Sequence, residues 1–273
     1  MKISVLLSLF AKENPVYFDR SLTSIWDEQT RKPNEIVLVK DGPLTKELDS
    51  IIIKWKGRLG DKFVVISLEV NRGLATALNE GVKYCSGDYI ARMDTDDISM
   101  PDRFFLQEKY LEIHPDVVLL GGAMYEINED EEIIAERKMP ITYEEIKRAF
   151  PKTNPFVHPA VIISRKVFDS GLSYNGRCRR NQDIELWFRI VSAGFEVANI
   201  PDLILKFRKP SVMYTKRRKS ANSEFKLFII GIYSLYGLFS WRYIYPILHY
   251  LFRFLPPKIS LWIYRKIIIK YWK

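Results

Sequence analysis

The chain has 273 residues, 47% of them hydrophobic, enough for one large or two small domains with a packed core. Its two cysteines, Cys85 and Cys178, make neither a disulfide framework nor a zinc set and fit a reducing compartment. The net charge of +9 is uneven: from Lys209 onward 13 Lys/Arg oppose a single acid, Glu224, so a mildly acidic body precedes a strongly basic tail.

The body alternates strand and helix signals. An apolar run at 3–9 leads into an Asn-Pro turn and a helical pattern, so it reads as a buried first strand rather than a signal peptide. Residues 16–27 are helical, with Phe18, Leu22, Ile25 and Trp26 on one face. A second strand at 35–39 stops at Asp41-Gly42-Pro43, and a helix over 44–59 carries Leu48, Ile51, Ile52 and Trp55 on one face. A third strand at 63–68, a helix at 74–84 opened by Asn71-Arg72-Gly73, and a fourth strand at 89–93 follow. A helix at 101–112 and a fifth strand at 117–120, ended by Gly121-Gly122, complete this alternation. The pattern predicts an α/β fold, a doubly wound, mainly parallel sheet with right-handed crossovers. Beyond Gly122 the signals change. They predict a hairpin over 124–138 and a capping box at Thr142. They also predict a strand at 160–163, a helix at 183–193 ended by Gly194, and late strands at 196–198 and 203–207.

Asp94-Thr95-Asp96-Asp97 follows the fourth strand and carries three carboxylates in four residues. Adjacent carboxylates repel and raise one another's pKa. Mg²⁺ or Mn²⁺ relieves that repulsion and shares its remaining positions with water and phosphate oxygens. The run therefore fits a metal-bridged diphosphate site at the carboxyl end of a parallel strand. It equally fits an acidic turn capping the helix near Pro101. Asp41 ends the second strand at the same sheet edge, either accepting a hydrogen bond from a nucleobase or capping a helix. Asn71-Arg72-Gly73 sets a helix N-terminus there, favourable to an anion. No Gly-x-Gly-x-x-Gly follows the first strand, which argues against a dinucleotide-binding dehydrogenase.

In this order and spacing the chain resembles the family 2 inverting glycosyltransferases, which have the GT-A fold. The carrying stretches are Ile3-Ser4-Val5-Leu6-Leu7-Ser8, Pro33 to Pro43, Asn71 to Gly81, Gly87 to Asp97, Pro101-Asp102-Arg103, Asp183 to Arg189, and Asn199-Ile200-Pro201-Asp202. They span residues 1–208, with 1–122 as a nucleotide-sugar-binding part and 123–208 as an acceptor-binding part. Bacterial enzymes of O-antigen or exopolysaccharide synthesis look most alike. The resemblance implies base recognition by Asp41, ribose contact by Asp94, metal ligation by Asp96, and assistance or sugar orientation by Asp97. It implies a general-base role for Asp183, with Glu185 as fallback; many relatives have Glu-Asp where this chain has Gln182-Asp183. His158, in a His-Pro pair, is implied to meet donor phosphates or acceptor, and is equally a turn histidine. Arg177, Arg179 and Arg180 fit diphosphate binding or plain solvation.

The resemblance thus implies Mn²⁺ or Mg²⁺ as cofactor, a UDP-sugar as favoured donor over dTDP- or GDP-sugars, and transfer of a hexose or N-acetylhexosamine. The implied acceptor is a polyprenyl-diphosphate-linked saccharide. Two rivals are nucleotidyl transfer, which lacks its Gly-rich basic loop, and a non-catalytic membrane-bound scaffold.

The tail, 209–273, has a basic run at 216–219 and a 15-residue uncharged stretch at 227–241, interrupted afterwards by Arg242 and Pro246. A spanning helix needs about 20 apolar residues. Aromatics and flanking Lys/Arg favour helices lying in the cytoplasmic leaflet. The expectation is a peripheral or monotopic protein on the cytoplasmic face of a bacterial inner membrane. The alternative is helices packed on the body or in a homo-oligomer interface. Nucleic-acid binding fits poorly, since an apolar stripe adds nothing to phosphate contacts.

Overall fold

The computed structural model describes residues 1–178, 180–209 and 221–252. Arg179, the basic run at 216–219 and the last part of the tail lie outside the described residues.

The first half is built of strand–helix units. β1 (Ile3–Leu9), β2 (Glu35–Lys40), β3 (Phe63–Ser67) and β4 (Tyr89–Arg92) pair in parallel, in the order β3-β2-β1-β4. α1 (Pro15–Trp26) starts where Asn14 Oδ1 accepts the Val16 N–H at 2.9 Å. Proline occupies its first turn, where no N–H is needed. α2 (Lys46–Leu59) is capped by Thr45 and buries Leu48, Ile52 and Trp55, spaced four and three apart along one face. α3 (Leu74–Val82) begins at Gly73, whose φ of +86° suits glycine.

The second half adds β5 (Ile98–Ser99), α4 (Arg103–Ile113), β6 (Val117–Ile127), β7 (Ile133–Arg137), α5 (Tyr143–Ala149), β8 (Ile162–Ser164), α6 (Arg165–Asp169), α7 (Gln182–Ser192) and β9 (Glu196–Arg208). All strands join one mixed sheet, β3-β2-β1-β4-β8-β6-β9-β5, with β7 on β6. β8 and β5 run antiparallel to their neighbours, whereas β6 and β9 are parallel.

Alternation along the buried strands divides the core. Ile3, Val5, Leu7 and Leu9 of β1 pack with Phe18, Leu22, Ile25, Trp55 and Phe104 on one face. Leu6, Val37 and Val39 join Ala77, Leu78, Trp187 and Phe188 on the other. Helices thus cover both faces, and the carboxyl ends of β1, β2 and β4 share one edge.

Several elements differ from expectation. β6 does not stop at Gly121-Gly122. A Cβ at Gly122 would lie 2.7 Å from the Ile204 side chain, so this glycine serves close packing with β9. The division expected at 122/123 therefore falls inside one strand. The two late strands are one, β9, interrupted where Pro201 and Asp202 bulge out between the Gly122–Ile200 and Ala123–Leu203 pairs. β5, two residues long, gives no readable periodicity. The hairpin turn at Asn128 and the Thr142–Glu145 capping box form as expected.

Of the tail, α8 (Ala221–Tyr236) and α9 (Ile244–Phe252) are described. α8 packs on α7: Phe188 meets Phe228 edge-on at 5.9 Å and fits against Gly231, where a Cβ would lie 2.5 Å away. Packing on the body, the alternative for the tail, therefore holds for this face of α8. Beyond it, Ile230, Tyr233, Phe239, Trp241, Leu248 and Leu251 are exposed. Among the described residues no helix is long and apolar enough to cross a membrane.

Candidate functional site

At the end of β2, Asp41 is 4% exposed. Its Oδ1 accepts the Arg72 N–H at 2.6 Å and its Oδ2 the Gly73 N–H at 3.0 Å. Gly42 makes this approach feasible: its φ is +90°, and any Cβ would lie 2.7 Å from the Asn71 nitrogen. Asp41 thus caps the entry to α3, the helix one unit beyond the one that follows it in sequence. The Arg72 side chain is exposed. An open hollow beside it is lined by Phe10, Lys12, Asp41, Pro43 and Asn71.

The acidic run lies past β4. Carboxylate oxygens of Asp94, Asp96 and Asp97 lie within 4.8 Å of one another. Asp94 is ion-paired with Arg92, itself 3% exposed. Asp97 is 1% exposed; its Oδ1 accepts the Arg208 N–H at 2.8 Å, and its Oδ2 is buried with no partner. Burial, reinforced by Asp94, pushes the Asp96 carboxyl up to about 6. Burial and then Asp94 and Asp96 push Asp97 well above the usual range. Glu13, just past β1, is raised to about 7 by burial and then by Asp96 and Asp94. Three acids drawn toward the protonated state beside Asp94, with one oxygen orphaned, form a site short of positive charge. The donor set is all hard oxygen and fits Mg²⁺ or Mn²⁺.

The third group stands on α7. Asn181, with φ of +57°, turns the chain into the helix, and Asp183 lies in its first turn. Asp183 Oδ2 accepts the Asn154 amide N–H at 2.6 Å. Burial raises its carboxyl above the usual range, against the backbone N–H groups of Ile184 and Asp183, the Asn154 amide and the Arg92 charge. Glu185, the fallback, is ion-paired with Arg189 at 3.1 and 2.7 Å.

Arg92 and Tyr174 link the two carboxylate groups. Arg92 feels Asp94, Tyr174 and Asp97, and Tyr174 feels Arg92, Asp183 and Asp94. Arg92 Nε and Nη1, like Trp187 Nε1, are buried without a partner. His158 opens a short 3-10 turn, with its Nε2 2.9 Å from the Tyr174 hydroxyl and its ring 5.9 Å from Trp187. Burial and then the Arg92 charge hold it well below the ordinary histidine pKa, hence neutral near pH 7.

Asp94, Asp96, Asp97, His158 and Asp183 thus gather around Arg92. Asp41 and Arg72 occupy a neighbouring corner, joined through the β1–α1 loop that carries Phe10, Lys12 and Glu13. The Arg177 and Arg180 side chains are exposed. Glu13, Arg92, Asn154, Tyr174 and Arg208 escaped the sequence reading. Two left a signal: Glu13 follows a strand ending at the same edge, and Arg92 is a lone charge in an otherwise apolar strand.

The family model "Glycosyl transferase family 2" matches residues 4–172. An amylovoran biosynthesis glycosyltransferase of Erwinia amylovora, AmsE, is 37% identical over 96% of this chain and 98% of its own. The UDP-Gal:alpha-D-GlcNAc-diphosphoundecaprenol beta-1,3-galactosyltransferase of Escherichia coli is 29% identical over 99% of this chain and 98% of its own. Among solved structures, S. aureus TarS 1-349 in complex with UDP-GlcNAc superposes with a TM-score of 0.68 at 17% identity, covering 93% of this chain and 72% of that one. That likeness is one of fold, and it agrees with the expected GT-A architecture. By family model and by relatives spanning nearly its whole length, the chain belongs to glycosyl transferase family 2.

Proposed function

We propose that the protein is an inverting, metal-dependent glycosyltransferase of surface-polysaccharide synthesis. It moves a hexose or N-acetylhexosamine from a UDP-sugar to a saccharide on a polyprenyl diphosphate. The observation that carries this reading is the three-carboxylate group with its orphaned Asp97 oxygen, facing across Arg92 to a single, separately held Asp183.

In this reading the hollow at Asp41 takes the nucleobase, with Phe10 as its apolar wall and Asp41 accepting a base N–H on a remaining lone pair. Asp94 faces the ribose, Asp96 holds the cation with Asp97 beside it, and Arg72 borders the nucleotide. A bound Mn²⁺ or Mg²⁺ supplies charge neutralisation for the departing nucleotide diphosphate. Ionised Asp183, steadied by Asn154, takes the acceptor hydroxyl proton as that oxygen attacks the anomeric carbon from the face opposite the leaving group. One displacement without a covalent enzyme intermediate inverts the anomeric configuration. His158, neutral and tied to Tyr174, shapes the wall behind the acceptor.

The lipid-linked acceptor is supported by the diphosphoundecaprenol named for the E. coli relative, and the pathway by the amylovoran and O-antigen names of relatives. The exposed apolar and aromatic side chains of α8, α9 and the turn between them, with the cationic tail, support docking on the cytoplasmic leaflet.

The test is nucleoside diphosphate release from a panel of UDP-, dTDP- and GDP-sugars, with Mn²⁺, Mg²⁺ or EDTA and with membrane lipid extract as acceptor. Release from a UDP-sugar that EDTA abolishes is the expected result. Release only from a dTDP- or GDP-sugar would overturn the donor assignment, and metal-independent release the cofactor assignment. Deleting residues 222–273 is expected to free the protein from anionic vesicles in a sedimentation assay.

A further inference from the structure

Arg208 is the last residue of β9, and its register partner is Ile127 at the end of β6. It is 4% exposed, a rare condition for arginine unless it is paired throughout. Its backbone N–H donates to Asp97 Oδ1 at 2.8 Å, and its Nε donates to the Asp96 carbonyl at 2.9 Å. Nη1 donates to the Asn128 and Glu129 carbonyls at 3.1 and 2.9 Å, and Nη2 to Glu131 Oε1 at 3.0 Å. The guanidinium carbon lies 3.9 Å from the centre of the Tyr17 ring. One residue therefore bonds both ends of the Asp96-Asp97 pair, 111 residues away, to the β6–β7 turn and to α1.

We propose that Arg208 is a positioning residue of the cation site, setting the aim of the Asp96 and Asp97 carboxylates without touching the cation. The inference rests on the metal-dependent reading above and extends it to a residue that the family's acidic motif does not contain. The physical reason lies in how little else fixes this pair. Asp97 Oδ2 has no partner, and the carboxylates repel one another. Left to itself, such a run swings apart into solvent. The Arg208 N–H fixes which Asp97 oxygen is engaged, so the other remains for a cation. The Nε bond fixes the peptide between the two residues, and hence the direction of the Asp96 side chain. Four side-chain hydrogen bonds and a ring contact leave the guanidinium no alternative pose. Its charge also offsets part of the local excess of carboxylates.

The experiment is a titration of the full chain with Mn²⁺, in the presence of UDP, reading free Mn²⁺ by electron paramagnetic resonance, beside a thermal melt of each variant. Arg208→Met keeps the backbone N–H bond to Asp97 but loses the rest. It is expected to weaken Mn²⁺ binding ~10-fold or more, as loss of residues that orient metal ligands commonly does. Arg208→Lys, keeping charge without the planar fork, is expected to fall between Met and wild type. Glu131→Gln, which removes the charge from the Nη2 ion pair and from the longer Arg20 contact at 3.7 Å, is expected to lose about 2- to 3-fold, the scale of a partly exposed ion pair. Should Arg208→Met fail to fold, the Lys and Gln variants carry the test. An arginine that merely anchored the end of β9 would lower every melting temperature and leave the Mn²⁺ affinity of the folded variants at the wild-type value, which overturns the proposal. Wild-type protein that binds no Mn²⁺ or Mg²⁺ overturns the metal-dependent reading as well.

Discussion

Asp41 and Asp97 are both almost wholly buried aspartates just past the carboxyl end of a parallel strand, and they stand in opposite electrostatic conditions. Each oxygen of Asp41 meets a backbone N–H, from Arg72 and Gly73. One oxygen of Asp97 meets the Arg208 N–H; the other is buried alone, beside two more carboxylates. A satisfied buried carboxylate is explained by the architecture it holds, here the entry to α3. An unsatisfied one is costly, by roughly 1–3 kcal/mol or more for a charged group, unless a ligand completes it. The same residue type at the same sheet edge thus does two kinds of work, and the partner count separates them.

The sharpest way to break this contrast is Asp96→Ala. If the run exists to hold a cation, turnover falls ~10³-fold or more, corresponding to several kcal/mol of lost charge neutralisation. Mn²⁺ binding is lost while the melting temperature of the metal-free protein rises, because one repelling carboxylate has gone. A variant that still binds Mn²⁺ as wild type would mean that the run is only an acidic turn.

Next in size is Asp183→Asn, expected to lower kcat by ~10²- to 10⁴-fold, the usual range for a general base, with Mn²⁺ and UDP affinity retained. Its pH dependence follows from the raised carboxyl. The base must be ionised, so kcat falls as pH drops, with an acid limb above that of an ordinary aspartate. The Arg92 charge favours the ionised form and holds that limb down. Arg92→Met is therefore expected to move the limb to higher pH, read from kcat against pH between about 5 and 8. A limb left in place would remove Arg92 as the link between the two carboxylate groups.

How much of this was legible in the sequence follows from how local each feature is. Asp41 and the 94–97 run end single elements, so turn chemistry and periodicity sufficed to mark them, while Asp183, at the start of its helix, was marked by the family resemblance. Arg208, Asn154 and Tyr174 act through pairings with distant segments: Asn154 meets Asp183 across 29 residues and Tyr174 meets Asn79 across 95. No local pattern encodes such pairs. The misread strand end at Gly121-Gly122 has the same cause, because those glycines answer to Asn199 and Ile204 of β9 rather than to a turn. The alternating first half was readable because each strand pairs in parallel with another of the same half, whereas β5 is a two-residue strand recruited antiparallel from afar.

Asp41→Asn tests the other side of the contrast with a smaller effect. An amide keeps one acceptor but presents an N–H₂ toward the Arg72 or Gly73 N–H, so about 1–2 kcal/mol of stability is expected to go. UDP affinity is expected to fall ~10-fold through the lost base contact, with Mn²⁺ binding in the absence of nucleotide unchanged. Loss of stability with full UDP affinity would make Asp41 architectural only.

The smallest effect is a shift in melting temperature. Glu13, raised to about 7, and Asp96, raised to about 6, bind protons more tightly in the folded chain than in the unfolded one. Their favourable contribution is complete below pH ~4, where both states are protonated, and is lost as pH rises through the folded values. Metal-free protein is thus expected to lose a few degrees between pH 5 and 7.5 on account of these groups. Added Mn²⁺ restores that loss by binding only the folded, ionised site, so its stabilising shift is larger at pH 7.5 than at pH 5. The Asp96→Ala variant should show neither the full loss nor the rescue. Asp41→Asn, its carboxylate already satisfied by backbone donors, should keep the full Mn²⁺ rescue at every pH, because the cation relieves repulsion in which Asp41 takes no part.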